Sequence, residues 1–235
     1  MTLLGRRSDD IERLDSDEVS TTDLTRSLAF VTEVNRRLGA VRSLRRHLRG
    51  LTGRSDIRIL DVGTGSADVL RDILEWGRAT GGGRWVGVGL DIRDAMLRIA
   101  ADGPAVAGSR LRLVRGDARA LPFPAGSFHA AFSMLTLHHF PDDEAVAFVS
   151  EMARVTSESV VVSDLERCVP AYVGARLLAE TRWRGDPVTR HDGPLSVRRS
   201  FTPGELAEIG RRARLRDAHV VRHFPFRLAL VGGPA

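Results

Sequence analysis

The sequence predicts an α/β doubly wound domain, a mostly parallel sheet with helices on both faces. Three observations carry that prediction. Short apolar runs opening at Arg58, Trp85, Leu111, Ser127 and Ser159 alternate with segments of helical period. The first run breaks into a glycine turn, Gly63-Thr64-Gly65, followed by Val69, Leu70, Ile73 and Leu74 on one helical face. Three successive runs end in an acid, Asp61, Asp91 and Asp117, at the edge where open α/β sheets bind ligands.

Residues 1–54 read as an N-terminal helical cap. Positions 8–23 are acidic (Asp9, Asp10, Glu12, Asp15, Asp17, Glu18) and predict a frayed or loosely helical start. Leu24, Leu28, Val31, Val34 and Leu38, then Val41, Leu44, Leu48 and Leu51, recur at helical spacing with Gly39 at the break. Asn35 reads as solvent-facing. These helices suit a wall of an acceptor pocket, a structural cap or a homodimer surface equally well.

The core, 55–235, begins with the strand that ends in Asp61. Trp85 to Asp91 is a second strand with a helix over 94–100. Leu111 to Ala118 is a third, closed by Gly116-Asp117-Ala118. A fourth strand runs into Ser133, and the helix after it carries Phe148, Val149 and Met152. A fifth, 159–165, ends near Asp164. Segment 166–200 reads as a lid-like insertion, a helix around Tyr172 to Ala179 followed by a polar, turn-rich loop over 183–194. Thr202-Pro203-Gly204-Glu205 announces a capped helix, and strands follow at 218–224 and 227–231.

A chain of 235 residues with 43% hydrophobic content buries one sizeable core. It has no apolar run of membrane-spanning length, and its first residues lack an apolar signal core. A cytoplasmic location is the natural expectation. The single cysteine, Cys168, excludes an internal disulfide. All 35 basic residues are arginine, scattered and not interleaved with aromatics, so the net charge of +5 does not read as a nucleic-acid surface.

The glycine motif carries the chemistry. Gly63 and Gly65 allow a sharp turn and close backbone approach to a ligand. Asp61 beside them suits a cationic or hydrogen-donating group and repels phosphate, which argues against a dinucleotide. The set Asp61, Gly63, Gly65, Asp91 and Asp117 resembles the class I S-adenosylmethionine-dependent methyltransferases. The segment Ser133-Met134-Leu135-Thr136-Leu137-His138-His139 is similar to one found in small-molecule members.

That resemblance covers residues 55–165. It implies a seven-stranded sheet with an antiparallel last strand and S-adenosylmethionine as cofactor. It also implies cofactor contacts from Asp61, Gly63, Thr64, Gly65, Asp91, Ile92, Asp117, Ala118 and Ser133. The tail resembles bacterial methyltransferases of polyketide-type biosynthesis, which implies a phenolic small-molecule acceptor and O-methylation. The alternatives are C-methylation of the quinone-biosynthesis kind, a non-catalytic cofactor-binding subunit, or a dinucleotide oxidoreductase.

Methyl transfer needs alignment above all, and an oxygen nucleophile gains from a base. His191, beside Asp192, is the first candidate base, with His138 and His139 behind it. Asp164, Arg167 and Tyr172 are candidate substrate contacts. No metal site is expected: the sequence lacks paired-cysteine and His-Glu-x-x-His motifs. Adjacent His138 and His139 on an extended loop would also point opposite ways.

Overall fold

A computed structural model describes residues 4–16, 19–37, 39–81, 83–106 and 110–234. Asp17, Glu18 and Leu38, named above, lie outside them. Five parallel strands form in chain order: β1 (Arg58–Val62), β2 (Val86–Asp91), β3 (Arg110–Arg115), β4 (Phe128–Met134) and β5 (Thr156–Leu165). The hairpin β6 (Arg216–His223) and β7 (Arg227–Gly233) completes one seven-stranded sheet, ordered β3-β2-β1-β4-β5-β7-β6. β7 runs antiparallel to both neighbours. The order turns back at β1/β4, the switch point beyond whose carboxyl ends such sheets bind ligands.

Two apolar layers hold the helices on the sheet. One joins Leu60, Val62 and Val160 to Phe148 and Met152 of α5 (Asp142–Val155) and Leu206 of α8 (Pro203–Arg212). The other joins Ile59, Phe132 and Val161 to α2 (Ala40–His47) and α3 (Asp68–Ala79) through Leu44, Leu70 and Ile73. The expected capping box is present: Thr202 accepts from Glu205 N, and Glu205 reaches back to Thr202 N. Among the described residues no helix is long and apolar enough to cross a membrane.

Three expectations need correction. The acidic N-terminal segment is not frayed over 8–16. Asp192 accepts from Arg13 N at 2.9 Å and Leu14 N at 2.8 Å, and Ser8 N donates to Arg198 O. Arg7 stacks on Phe201 and donates to the His138, Phe140 and Arg199 carbonyls. Stretch 183–194 is not a loop either, since α7 (Pro187–Arg199) occupies most of it beside α6 (Val169–Glu180). Asp186 caps α7 by accepting from Val188 N, and Pro187 stands at the first turn, where its missing N–H costs nothing. Gly193 serves packing, since a Cβ there would lie 2.4 Å from Trp183. Asn35, in α1 (Thr21–Arg37), is buried and accepts from Arg227 at 2.8 Å.

Candidate active site

Strand ends and the turns after them build the site. The turn after β1 is tied to β2: Gly63 N and Thr64 N both donate to Leu90 O, at 2.8 and 2.9 Å. Gly63 has φ +76°, and a Cβ on it would lie 2.4 Å from Thr136 Cγ2, so glycine is required twice over. Asp61 is fully buried and receives the Thr64 hydroxyl at 2.7 Å. Burial pushes its carboxyl up to about 8 against that bond, and Asp68 and Asp91 add to the rise. Among the described residues no guanidinium pairs with it.

Asp91 closes β2 and accepts two backbone bonds, from Gly65 N at 2.9 Å and Arg93 N at 3.0 Å. Burial raises its pKa while these donors oppose the rise. Asp117 lies two residues beyond β3, half-exposed. The Arg119 side chain grips it at 2.7 Å and holds it below the usual carboxylate range. A cavity of about 400 Å³ gathers Asp61, Gly63, Thr64, Gly65, Asp91, Ile92, Asp117 and Ala118 in one wall. Ser133 is not in it. That side chain lies within the sheet, and its hydroxyl donates to Val62 O at 2.7 Å, while Met134, Leu135 and Thr136 face the cavity instead.

His138 and His139 sit on a 3₁₀ turn (Leu137–His139), not on extended chain, and this overturns the expectation that they point apart. Their rings lie 4.3 Å apart at 31°. His138 is buried. Its Nδ1 meets Asp164 Oδ1 at 2.7 Å, and its Nε2 lies 3.3 Å from Glu12 Oε1 without hydrogen-bond alignment. Burial disfavours the charged ring, but Asp164 and Glu12 outweigh it and hold His138 up to about 10. Asp164 is thereby kept low against its own burial, and so is Glu12. His139 Nδ1 meets Asp15 Oδ2 at 2.8 Å.

A second chamber, about 250 Å³, adjoins the first and is lined by Phe30, Val34, Ala171, Leu178, Trp183 and Phe226. Glu12, Leu14, Val31, Leu135, Leu165 and Ser196 belong to both chambers and so mark the junction. Residues of α1 and of the 166–200 segment line this chamber together.

Four candidates stand elsewhere. His191 is half-exposed on the outer side of α7, beside Arg13, Arg176 and Glu180 in a surface cleft. Its Nδ1 bonds Asp192 at 2.7 Å. Arg167 is buried in a structural net, donating to Leu4 O, Ser200 O and Glu205. Tyr172 packs in a small cluster with Ala171, Ala175 and Val197, outside both chambers. Asp164 grips His138 and faces neither chamber.

Sequence reasoning missed Glu12, Asp15 and Arg227. No local motif marks them, because each reaches the site from a chain end. Arg227 is fully buried on the wall of the second chamber. Asn35 meets one of its nitrogens, while its Nε and Nη1 find no partner. Burial draws its pKa down to about 10, partly offset by Asp164.

This fold and site are those of a methyl-transferring enzyme, and the comparisons agree. A family model described as a methyltransferase domain matches residues 59–159. A demethylmenaquinone methyltransferase of Roseiflexus castenholzii is 35% identical over 171 residues, covering 68% of each chain. A demethylmenaquinone methyltransferase of Geobacillus kaustophilus is 33% identical over 150 residues, covering 60% of this chain and 62% of that one. In fold, the chain is similar to an S-adenosylmethionine-dependent methyltransferase from Aquifex aeolicus. The TM-score is 0.63 at 16% identity, covering 93% of this chain and all of that one. The chain belongs to the class I S-adenosylmethionine-dependent methyltransferases.

The residues present fit that cofactor. Asp61, buried without a cationic partner, would meet the cofactor's ammonium once ionised, and Asp91 would offer oxygens to its ribose hydroxyls. No arginine lies in the glycine turn as a phosphate would want. A pH dependence follows from Asp61. Below about 8 its carboxyl is neutral and must lose a proton to hold an ammonium. Binding of S-adenosylhomocysteine should tighten from pH 6 to 8, by up to roughly tenfold per unit. Titration calorimetry should show the slope in the wild type and a flat response in Asp61→Asn.

Proposed function

We propose that this enzyme methylates a ring carbon of an apolar, oxygenated aromatic acceptor of the quinol type. The observation that carries this reading is Arg227, a buried guanidinium with unpaired donors on the wall of a largely apolar chamber beside the cofactor cavity. A buried, unsatisfied cation is costly in the free protein and welcomes an acceptor oxyanion. The cofactor supplies a methyl group on a sulfonium, with its own leaving group.

Arg227 holds the ionised ring oxygen, and electron density from that oxygen makes the neighbouring ring carbon nucleophilic. The apolar walls keep water out and align the ring face with the cofactor cavity. Glu12, at the junction, is the carboxylate within reach of a proton leaving the acceptor. His138 and Asp164 behind it set its charge and position. The name shared by the Roseiflexus and Geobacillus relatives supports a quinone-type acceptor.

The test is product analysis by NMR after incubation with ¹³C-methyl cofactor and reduced 1,4-naphthoquinones, beside simple phenols. A carbon-bound methyl supports this reading, whereas an oxygen-bound methyl on a phenol would establish the O-methyl alternative. Arg227→Leu should lower kcat/KM for the acceptor by roughly 10- to 100-fold, the weight of a charged hydrogen bond. Cofactor affinity should not change. Thermal stability should hold or rise, since an apolar replacement removes a buried charge.

A further inference from the structure

We infer that Glu12, His138 and His139 form a binding site for a divalent first-row transition-metal ion, with an open position facing the acceptor. A ring nitrogen of each histidine and a Glu12 oxygen lie within 4.8 Å of one another. His138 Nε2 and Glu12 Oε1, at 3.3 Å, already match two atoms sharing one ion, which stand roughly 3.0–3.5 Å apart at ordinary metal–ligand distances and angles. His139, on the more exposed side, closes the set with a small movement.

The surroundings are those of a ligand set rather than of a chance cluster. Each imidazole is fixed by a carboxylate on Nδ1, Asp164 for His138 at 2.7 Å and Asp15 for His139 at 2.8 Å. This is the outer-shell arrangement that orients metal-bound histidines. His138 Nε2 is buried, has no hydrogen-bond partner and lies 3.3 Å from Glu12 Oε1. The Arg199 guanidinium stands 3.8 Å from Glu12 but donates to the His138, His139 and Asp10 carbonyls. Ser196 supports Glu12 from the other side at 3.0 Å. Two imidazoles and one carboxylate suit a borderline ion and leave positions free, as open sites do.

Those positions open on the cavity wall shared with the acceptor chamber, because Glu12 belongs to both. With the ion bound, Glu12 would serve as a ligand rather than as the proton acceptor, and the open position would lie beside the acceptor chamber. The site shares its place with the function proposed above but does not depend on the acceptor's identity.

Co²⁺ titration of the chelator-stripped, full-length protein tests it, read by visible ligand-field absorption. One equivalent should saturate the signal. Glu12→Gln and His139→Ala should each abolish it, and Asp15→Asn should weaken affinity roughly 10- to 100-fold. Thermal stabilisation by S-adenosylhomocysteine checks that each variant is folded, and the half-buried His139 keeps that check independent of the core. His47→Ala is the control, because His47 and His223 bring ring nitrogens to 2.9 Å elsewhere on the surface. Absent absorption would overturn the site, as would a signal that survives in Glu12→Gln and His139→Ala or one removed by His47→Ala. Failure to methylate quinols would leave the Co²⁺ signal intact, so the two readings fail separately.

Discussion

Asp91→Ala should weaken binding of S-adenosylhomocysteine roughly 100-fold, about 2.7 kcal/mol. Two losses combine. The carboxylate oxygens that would meet ribose hydroxyls disappear. The backbone N–H groups of Gly65 and Arg93 also lose their acceptor, so the glycine turn is no longer tied to the end of β2 through it. Asp91→Asn separates the contributions, since the amide keeps one oxygen for the turn and forfeits the charge. Titration calorimetry on both variants should order them wild type, Asn, Ala. An alanine variant that binds within threefold of wild type would mean that the second strand end does not hold the ribose.

His138→Leu should be the most damaging single change to stability, at roughly 3–5 kcal/mol in chelator-treated protein. It leaves Asp164 and Glu12 buried without the ring that both carboxylates face. Adding Asp164→Asn should return part of the loss, because it removes one of the stranded charges. The pH profile has a definite sign. His138 is raised in the folded state, so its contribution is full below the unfolded value near 6.5 and is lost as pH climbs to about 10. Urea unfolding from pH 6.5 to 10 should therefore show wild-type stability falling more steeply than that of His138→Leu. Parallel curves would show that the ring is neutral in the fold.

The wall of the first cavity was legible because it is written in one contiguous stretch. Asp61, Gly63, Thr64, Gly65, Asp91, Ile92, Asp117 and Ala118 lie within sixty residues, each at a strand end that apolar periodicity locates. Ser133 was misplaced by a register question that one sequence cannot answer: in a strand buried on both faces, neither face is marked by polarity. The acceptor half was illegible for a different reason. Glu12, Val31, Leu178 and Arg227 come from four distant segments and meet only in the folded chain. His191 looked like an oriented imidazole beside Asp192, and the bond exists. Helical geometry in α7 nevertheless turns that ring outward while Asp192 turns in to clasp the N-terminal segment. Gly193 and Pro194 misled because glycine and proline signal turns, whereas here one makes room for Trp183 and the other is tolerated within the helix.

The clasp of residues 8–16 onto α7 and the histidine turn also bears on how such an enzyme changes its trade. The glycine turn and the three acids would survive replacement of this short segment, yet Glu12 and Asp15 would leave with it. One exchange of these nine residues would then remove the proposed proton acceptor while leaving the glycine-turn wall of the first cavity untouched. On the proposed reading, the chemistry at the acceptor is detachable from the cofactor wall, and it depends on a part of the chain that no pattern marks.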